Sequence, residues 1–211
     1  MSGASVMASP GVAGCFGKLR GNGDFVTRRL PRRFVEPWDA MLQAGLLAGR
    51  AARGRAWLDA YLTAPLWCFA LGGGVLAENG WAGVLMPSVD SAGRHFPLTI
   101  AAPVEPGAWS MWRARAHAWF AQCGALALAT LDKGARLDDF DAGLLALSHV
   151  DEANGVSMPS DAGVAGMSVW WHAQSMRVSA GLPDAAFVAA LFDSADGGMD
   201  DAWIKRGVSD D

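Results

Sequence analysis

Three apolar runs in close succession, Leu66 to Leu71, Trp81 to Met86 and Phe96 to Ala101, constrain this sequence more than any other feature. Runs of this length, bounded by turn residues, read as strands rather than helices. Gly72-Gly73-Gly74 and Glu78-Asn79-Gly80 supply the breaks expected between neighbouring antiparallel strands. A sheet with such apolar strands must be covered by helices on at least one face. The flanking sequence therefore has to provide those helices.

It does so in blocks. Pro31 opens a helical stretch with Phe34, Trp38, Met41 and Leu42 spaced for one face, and Gly45 and Gly49 are expected to mark its end. A second helix is predicted from about Arg53 to Tyr61, stopping before Pro65. The longest is predicted over Gly107 to Leu131, with Trp109, Trp112, Ala116, Trp119, Cys123 and Leu126 as its apolar stripe. Asp138 to Leu147 reads as a short helix whose acidic first turn suits the helix dipole, and Pro183 to Phe192 as a terminal helix. Further strands are predicted over Ala13 to Leu19, just after Asn22-Gly23, over Gly166 to Trp171 and over Arg177 to Ala180. Asn22-Gly23 is a favoured pair for a tight hairpin turn between the first two. The expected fold is a layered α/β sandwich around a mixed, largely antiparallel sheet. It forms one domain over residues 13–205, between flexible segments at 1–12 and 206–211.

Composition removes several function classes. A formal net charge of −4 offers no electrostatic footprint for nucleic acid, which calls for clustered surplus Lys and Arg. No segment is long and apolar enough to span a membrane, since Met111 to Leu131 is interrupted by Arg113, Arg115 and His117. Cys15, Cys68 and Cys123 are odd in number and widely spaced, the pattern of reduced cytosolic thiols rather than a disulfide framework. Val12-Ala13-Gly14-Cys15 has the shape of a lipoprotein processing site. Against that reading, Met1 to Pro10 lacks any Lys or Arg and Pro10-Gly11 interrupts the stretch that would have to be apolar. Ten tryptophans against one tyrosine supply large buried area, in a core or as interface anchors, and composition does not separate the two.

Ser88, Asp90 and His95 hold the residue types of a hydrolase triad, and a hydrolase using this loop is the alternative function. A triad draws converging side chains from distant segments, whereas these three sit on one short loop with no nucleophile-elbow glycines. Asp138, Asp139 and Asp141 are accounted for by helix N-capping, without a metal. His95, His117, His149 and His172 are too scattered for zinc, and Gly72 to Gly74 is too short for a phosphate loop. No cofactor is expected. The polar loop Pro87-Ser88-Val89-Asp90 to Gly93-Arg94-His95-Phe96-Pro97 remains, with two readings. It either carries binding function on a rigid scaffold, or an Asp90–Arg94 pair merely fixes its shape.

Gly14-Cys15-Phe16-Gly17-Lys18-Leu19, Gly23-Asp24-Phe25-Val26, Leu30-Pro31 and Trp38-Asp39 resemble the opening of the TagF (ImpM) family of bacterial type VI secretion. The resemblance continues through Trp57-Leu58, Tyr61-Leu62, Ala64-Pro65, Trp67 and Phe69 into Pro87-Ser88-Val89-Asp90 and Gly93-Arg94-His95-Phe96-Pro97-Leu98. A weaker echo lies in Trp170-Trp171, Gly181-Leu182-Pro183 and Phe187. Two positions depart from the pattern: Cys68 stands where arginine is expected, and Ser91-Ala92 replaces the usual basic residue after Asp90. The resemblance implies a three-layer α/β/α sandwich and a cytoplasmic, non-enzymatic post-translational repressor. Its implied partner is the forkhead-associated scaffold protein of the secretion machine. It also places Cys15 in a first strand, which counts against lipidation. The rim of such an interface is expected at Asp24, Ser88, Asp90 and Arg94.

Overall fold

Trp81 to Met86 has no polar side chain to turn toward water, so the strand it forms must be covered on both faces. In a computed structural model, which describes residues 11–104, 116–147, 165–172 and 175–193, this run becomes β4 (Gly80–Met86), buried throughout. Its neighbours are β1 (Gly14–Gly17), β2 (Val26–Arg28), β3 (Trp67–Leu71), β5 (Leu98–Val104), β6 (Met167–His172) and β7 (Ser175–Ala180). Together they form a seven-stranded sheet in the order β2-β1-β5-β4-β3-β6-β7. Val84 stands opposite Cys68 on one side and Ile100 on the other, and Val169 opposite Val178. Every pairing among the described strands is antiparallel, so the parallel component that a mixed sheet allows is not found among them.

Alternation along the strands divides the core into two layers. Phe16, Phe69, Leu71, Leu85 and Trp170 face three helices: α1 (Arg32–Arg53), α2 (Trp57–Thr63) and α5 (Ala185–Leu191). There they meet Phe34, Trp38 and Leu42 of α1, Tyr61 of α2 and Val188 of α5. Cys15, Val84, Ile100 and Val169 face α3 (Ala116–Ala129) and α4 (Leu137–Ala146), which bring Trp119, Phe120, Cys123, Phe140 and Leu144. Each of these large side chains contributes on the order of 1.5–3 kcal/mol when fully buried. The three-layer α/β/α sandwich is therefore present.

Tryptophan serves this core. Trp38, Trp57, Trp67, Trp81, Trp119 and Trp170 are buried and Trp171 is half-buried. Trp109, Trp112 and Trp203 lie outside the described residues, as do residues 107–115 of the helix expected over Gly107 to Leu131, His149, residues 1–10 of the expected flexible segment 1–12, and the expected flexible segment 206–211.

Four local expectations are corrected. Gly45 and Gly49 do not end α1, which runs on to Arg53. They let α5 approach instead, since a Cβ at Gly45 would lie 2.2 Å from Val188 Cγ1. The helix predicted from Arg53 begins at Trp57, after a 3₁₀ turn over Gly54–Ala56. Asn22-Gly23 forms no tight hairpin turn, because neither residue has positive φ and the chain turns at Arg20-Gly21. Asp138 and Asp139 occupy the first turn of α4 without capping it, as the capping position is Arg136 and makes no side-chain bond.

Candidate functional site

The loop between β4 and β5 and the connection between β1 and β2 meet at one end of the sheet. Asp90 sits at their junction with its carboxylate enclosed. Oδ1 accepts the N–H groups of Ala92 at 2.9 Å and Arg94 at 2.8 Å, and Oδ2 accepts Arg94 Nε at 2.7 Å. Lys18 Nζ, itself buried, donates to the same Oδ2. Gly93, at φ +76°, allows the tight return that brings the Arg94 N–H back to this carboxylate. Burial alone would raise the Asp90 pKa, but the hydrogen bonds from Lys18, Arg94 and Ala92 outweigh it and hold the carboxyl far below its usual range.

The rest of the loop is tied down equally. Ser88 Oγ donates to the Lys18 carbonyl at 2.7 Å. Tyr61 Oη donates to the Ser88 carbonyl and accepts the Ser88 N–H, both at 2.9 Å. The Ser91 N–H reaches the Asn22 carbonyl at 3.1 Å, and the Arg94 guanidinium reaches the Gly23 carbonyl. These long-range bonds recruit residues 18–25 and displace the local hairpin turn that Asn22-Gly23 favours.

No relay joins the candidate triad. Ser88 Oγ is engaged with a backbone carbonyl, and Asp90 with Lys18 and Arg94. The His95 ring instead stands edge-on to Trp57 and Tyr61, at centroid distances of 6.1 and 5.8 Å. Its pKa is lowered first by burial and then by the Arg50 charge, with Asp90 opposing. Among the described residues no three His, Cys, Asp or Glu side chains converge as a metal site. No described helix is long and apolar enough to cross a membrane.

The four residues expected at an interface rim fall into two classes. Ser88 and Asp90 are 2% and 3% exposed, and their polar atoms are committed to the loop. Asp24 and Arg94 are exposed, and Arg94 presents guanidinium surface while bonded to Asp90 and Gly23. Next to Asp24 in the chain stands Phe25, which the sequence did not single out as a site residue. It is 48% exposed. Its ring stacks on Phe16 at 5.7 Å, meets Phe96 edge-to-face at 4.8 Å and lies 4.9 Å from Lys18 Nζ. The available signal was Lys18 itself: a cation inside the run Cys15 to Leu19 must find a buried partner and cannot be a solvated face.

A cleft of about 270 Å³ opens elsewhere, between Leu19 to Asn22 and the segment joining α3 to α4. Its lining is largely apolar, with Arg136 and Asp139 at hand and the Thr130 hydroxyl, which donates to the Ala127 carbonyl at 2.6 Å; it holds no cysteine, serine or imidazole.

Comparison with known proteins places this geometry. Residues 14–147 match the family model described as the TagF N-terminal domain, type VI secretion system-associated. The chain is also similar to the crystal structure of PA0076 from Pseudomonas aeruginosa PAO1, with 33% identity and a TM-score of 0.76. That similarity covers 89% of this chain and 97% of the other. A comparison with curated proteins found no match. Since the family model spans the loop, its anchoring lysine and more than half of the chain, this protein belongs to the TagF family of type VI secretion system-associated proteins.

Proposed function

We propose that this protein is a non-enzymatic, cytoplasmic regulator that restrains type VI secretion post-translationally by binding the forkhead-associated scaffold protein and blocking assembly. One observation carries the reading: Phe25 is a half-exposed aromatic held rigidly by Phe16, Phe96 and Lys18, flanked by the exposed Asp24 and Arg94. An aromatic anchor with a polar rim, already fixed before a partner arrives, is the arrangement that dominates binding energy in protein interfaces. Family membership supports the secretion-system context. The reactive residue types of the loop are spent on holding this surface, which favours binding over catalysis.

The test is affinity capture from the native bacterium with the tagged protein, followed by mass spectrometry. The forkhead-associated scaffold should be retained by the wild type and lost with Phe25→Ala or Arg94→Ala, with both variants still folded in a cooperative thermal melt. Those variants should also release secretion. Capture of no secretion component from cells expressing the machine would overturn the proposal.

A further inference from the structure

A second surface lies where the end of α1 meets α2. Arg50, in the last turn of α1, is exposed and rests its guanidinium on the Trp57 ring, 4.3 Å from the centroid. The indole is itself fixed, stacked on Tyr61 at 5.0 Å and seated close to Gly49, where a Cβ would lie 3.0 Å from Nε1. Several other arginines have acidic partners: Arg28 and Arg29 with Asp141, Arg32 with Glu36, Arg53 with Asp193 and Arg94 with Asp90. Among the described residues no carboxylate pairs with Arg50, nor with Arg55, which is exposed on the turn leading into Trp57. The His95 imidazole, edge-on to the same indole and half-buried, makes no hydrogen bond through either ring nitrogen among the described residues.

We propose that Arg50, laid over Trp57 beside His95 and together with Arg55, forms a docking surface for an acidic, carboxylate-bearing segment of a protein partner. A guanidinium whose face lies on an indole keeps its N–H edge free, and a planar fork already held in place loses little freedom when it grips a carboxylate bidentately. The local charge fits that occupant. Of the three arginines Arg50, Arg53 and Arg55, only Arg53 has a carboxylate partner among the described residues, Asp193, so two positive charges stay uncompensated here within a protein of net charge −4. Arg50 also complements the helix dipole and covers Trp57 with its stem, but those roles explain neither the unpaired Arg55 nor the unbonded imidazole. Two free guanidinium groups are too few for a nucleic-acid backbone, which needs a longer basic track. A short acidic peptide is matched in charge.

The inference stands apart from the scaffold-binding reading, because it concerns a different surface and is tested on purified protein without any secretion component. Fluorescence anisotropy with a labelled hexaglutamate peptide provides the measurement, with hexalysine as the control. Saturable binding of hexaglutamate alone is expected, weakening as salt is added. Arg50→Glu should raise the dissociation constant by about tenfold or more, as loss of a charge-assisted bidentate contact does. Arg50→Gln and Arg55→Gln should each raise it several-fold, and these milder changes carry the test if the charge reversal does not fold. His95→Phe, which keeps the ring contacts and removes both nitrogens, should also weaken binding. Absence of saturable binding, or equal affinities for wild type and Arg50→Gln, overturns the proposal whatever the capture experiment retains.

Discussion

Lys18 and Asp90, 72 residues apart in the chain, meet as an enclosed ion pair where the β1–β2 connection crosses the β4–β5 loop. Taking two charges out of water is costly, and the arrangement holds only because the carboxylate also accepts three hydrogen bonds from Ala92 and Arg94. Its effect is geometric: it clamps together the two segments that present Phe25 and Arg94.

Removing the carboxylate should therefore be far worse than removing one of its donors. Asp90→Ala strands the buried Lys18 ammonium, while Arg94→Ala gives up a side chain that is 60% exposed. Urea unfolding followed by tryptophan fluorescence should show a much lower midpoint for Asp90→Ala than for Arg94→Ala. Equal midpoints would mean that the pair does not hold the loop.

Trp38 Nε1 donates to Thr99 Oγ1 at 2.8 Å, and both residues are wholly buried between α1 and β5. Thr99→Val keeps the shape and orphans the indole N–H, at an expected cost of about 1–3 kcal/mol in unfolding free energy. A double-mutant cycle with Trp38→Phe should reveal a coupling between the two positions, because the N–H that valine leaves unpaired is then gone.

Gly45 tests the packing of α5. Alanine there would gain up to about 1 kcal/mol in helix propensity, but its Cβ meets Val188 at 2.2 Å, and overpacking costs about 1–3 kcal/mol. Gly45→Ala should lower the thermal midpoint, and Val188→Ala should recover part of the loss in the double variant. Stabilisation by Gly45→Ala alone would show that the helices separate freely.

Stability should decline on both sides of neutral pH. His95 and His172 have lowered pKa values, chiefly through burial, so the unfolded chain binds their protons more tightly and stability falls below about pH 6.5. Asp141, held low first by its hydrogen bond from Arg29, and Asp90 add a steeper loss below about pH 4. Burial pushes Cys15 up to about 11 and Cys68 up to about 12, and raises Tyr61, so stability is also lost above the ordinary thiol range. Thermal melts across pH should peak between about pH 7 and 8, with a shallow acid shoulder before the steep loss. His95→Phe should reduce the part of that shoulder belonging to His95.

Much of the fold was legible in the residues because it rests on short-range chemistry. The apolar runs at Leu66, Trp81 and Phe96 and the breaks between them placed β3, β4 and β5 to within a few residues. The spacing of Phe34, Trp38, Met41 and Leu42 gave the buried face of α1, and all four are buried. What failed locally failed because a distant partner intervened. Gly45 and Gly49 read as helix terminators by propensity, yet contact with α5 and Trp57 outweighs that cost. Asn22-Gly23 reads as a hairpin turn, yet bonds from Ser91 and Arg94 hold its backbone in another path.

The candidate site divides in the same way. Residue order alone marked the loop from Pro87 to Pro97 as the place where polar groups interrupt apolar strands, and its motifs carried the family. Only the tertiary structure decided the role of each side chain. Ser88 and Asp90 are turned inward because Lys18 and Tyr61 arrive from other elements, and Phe25 is left half in water on top of Phe16 and Phe96. Arg50 likewise gains its platform only when α2 folds back to bring Trp57 beneath it. Periodicity reports which face of an element is apolar, since that depends on neighbours a few residues away. Which charge meets which, and which aromatic is left exposed, depends on contacts across the whole chain, and these exist only once the layers have closed.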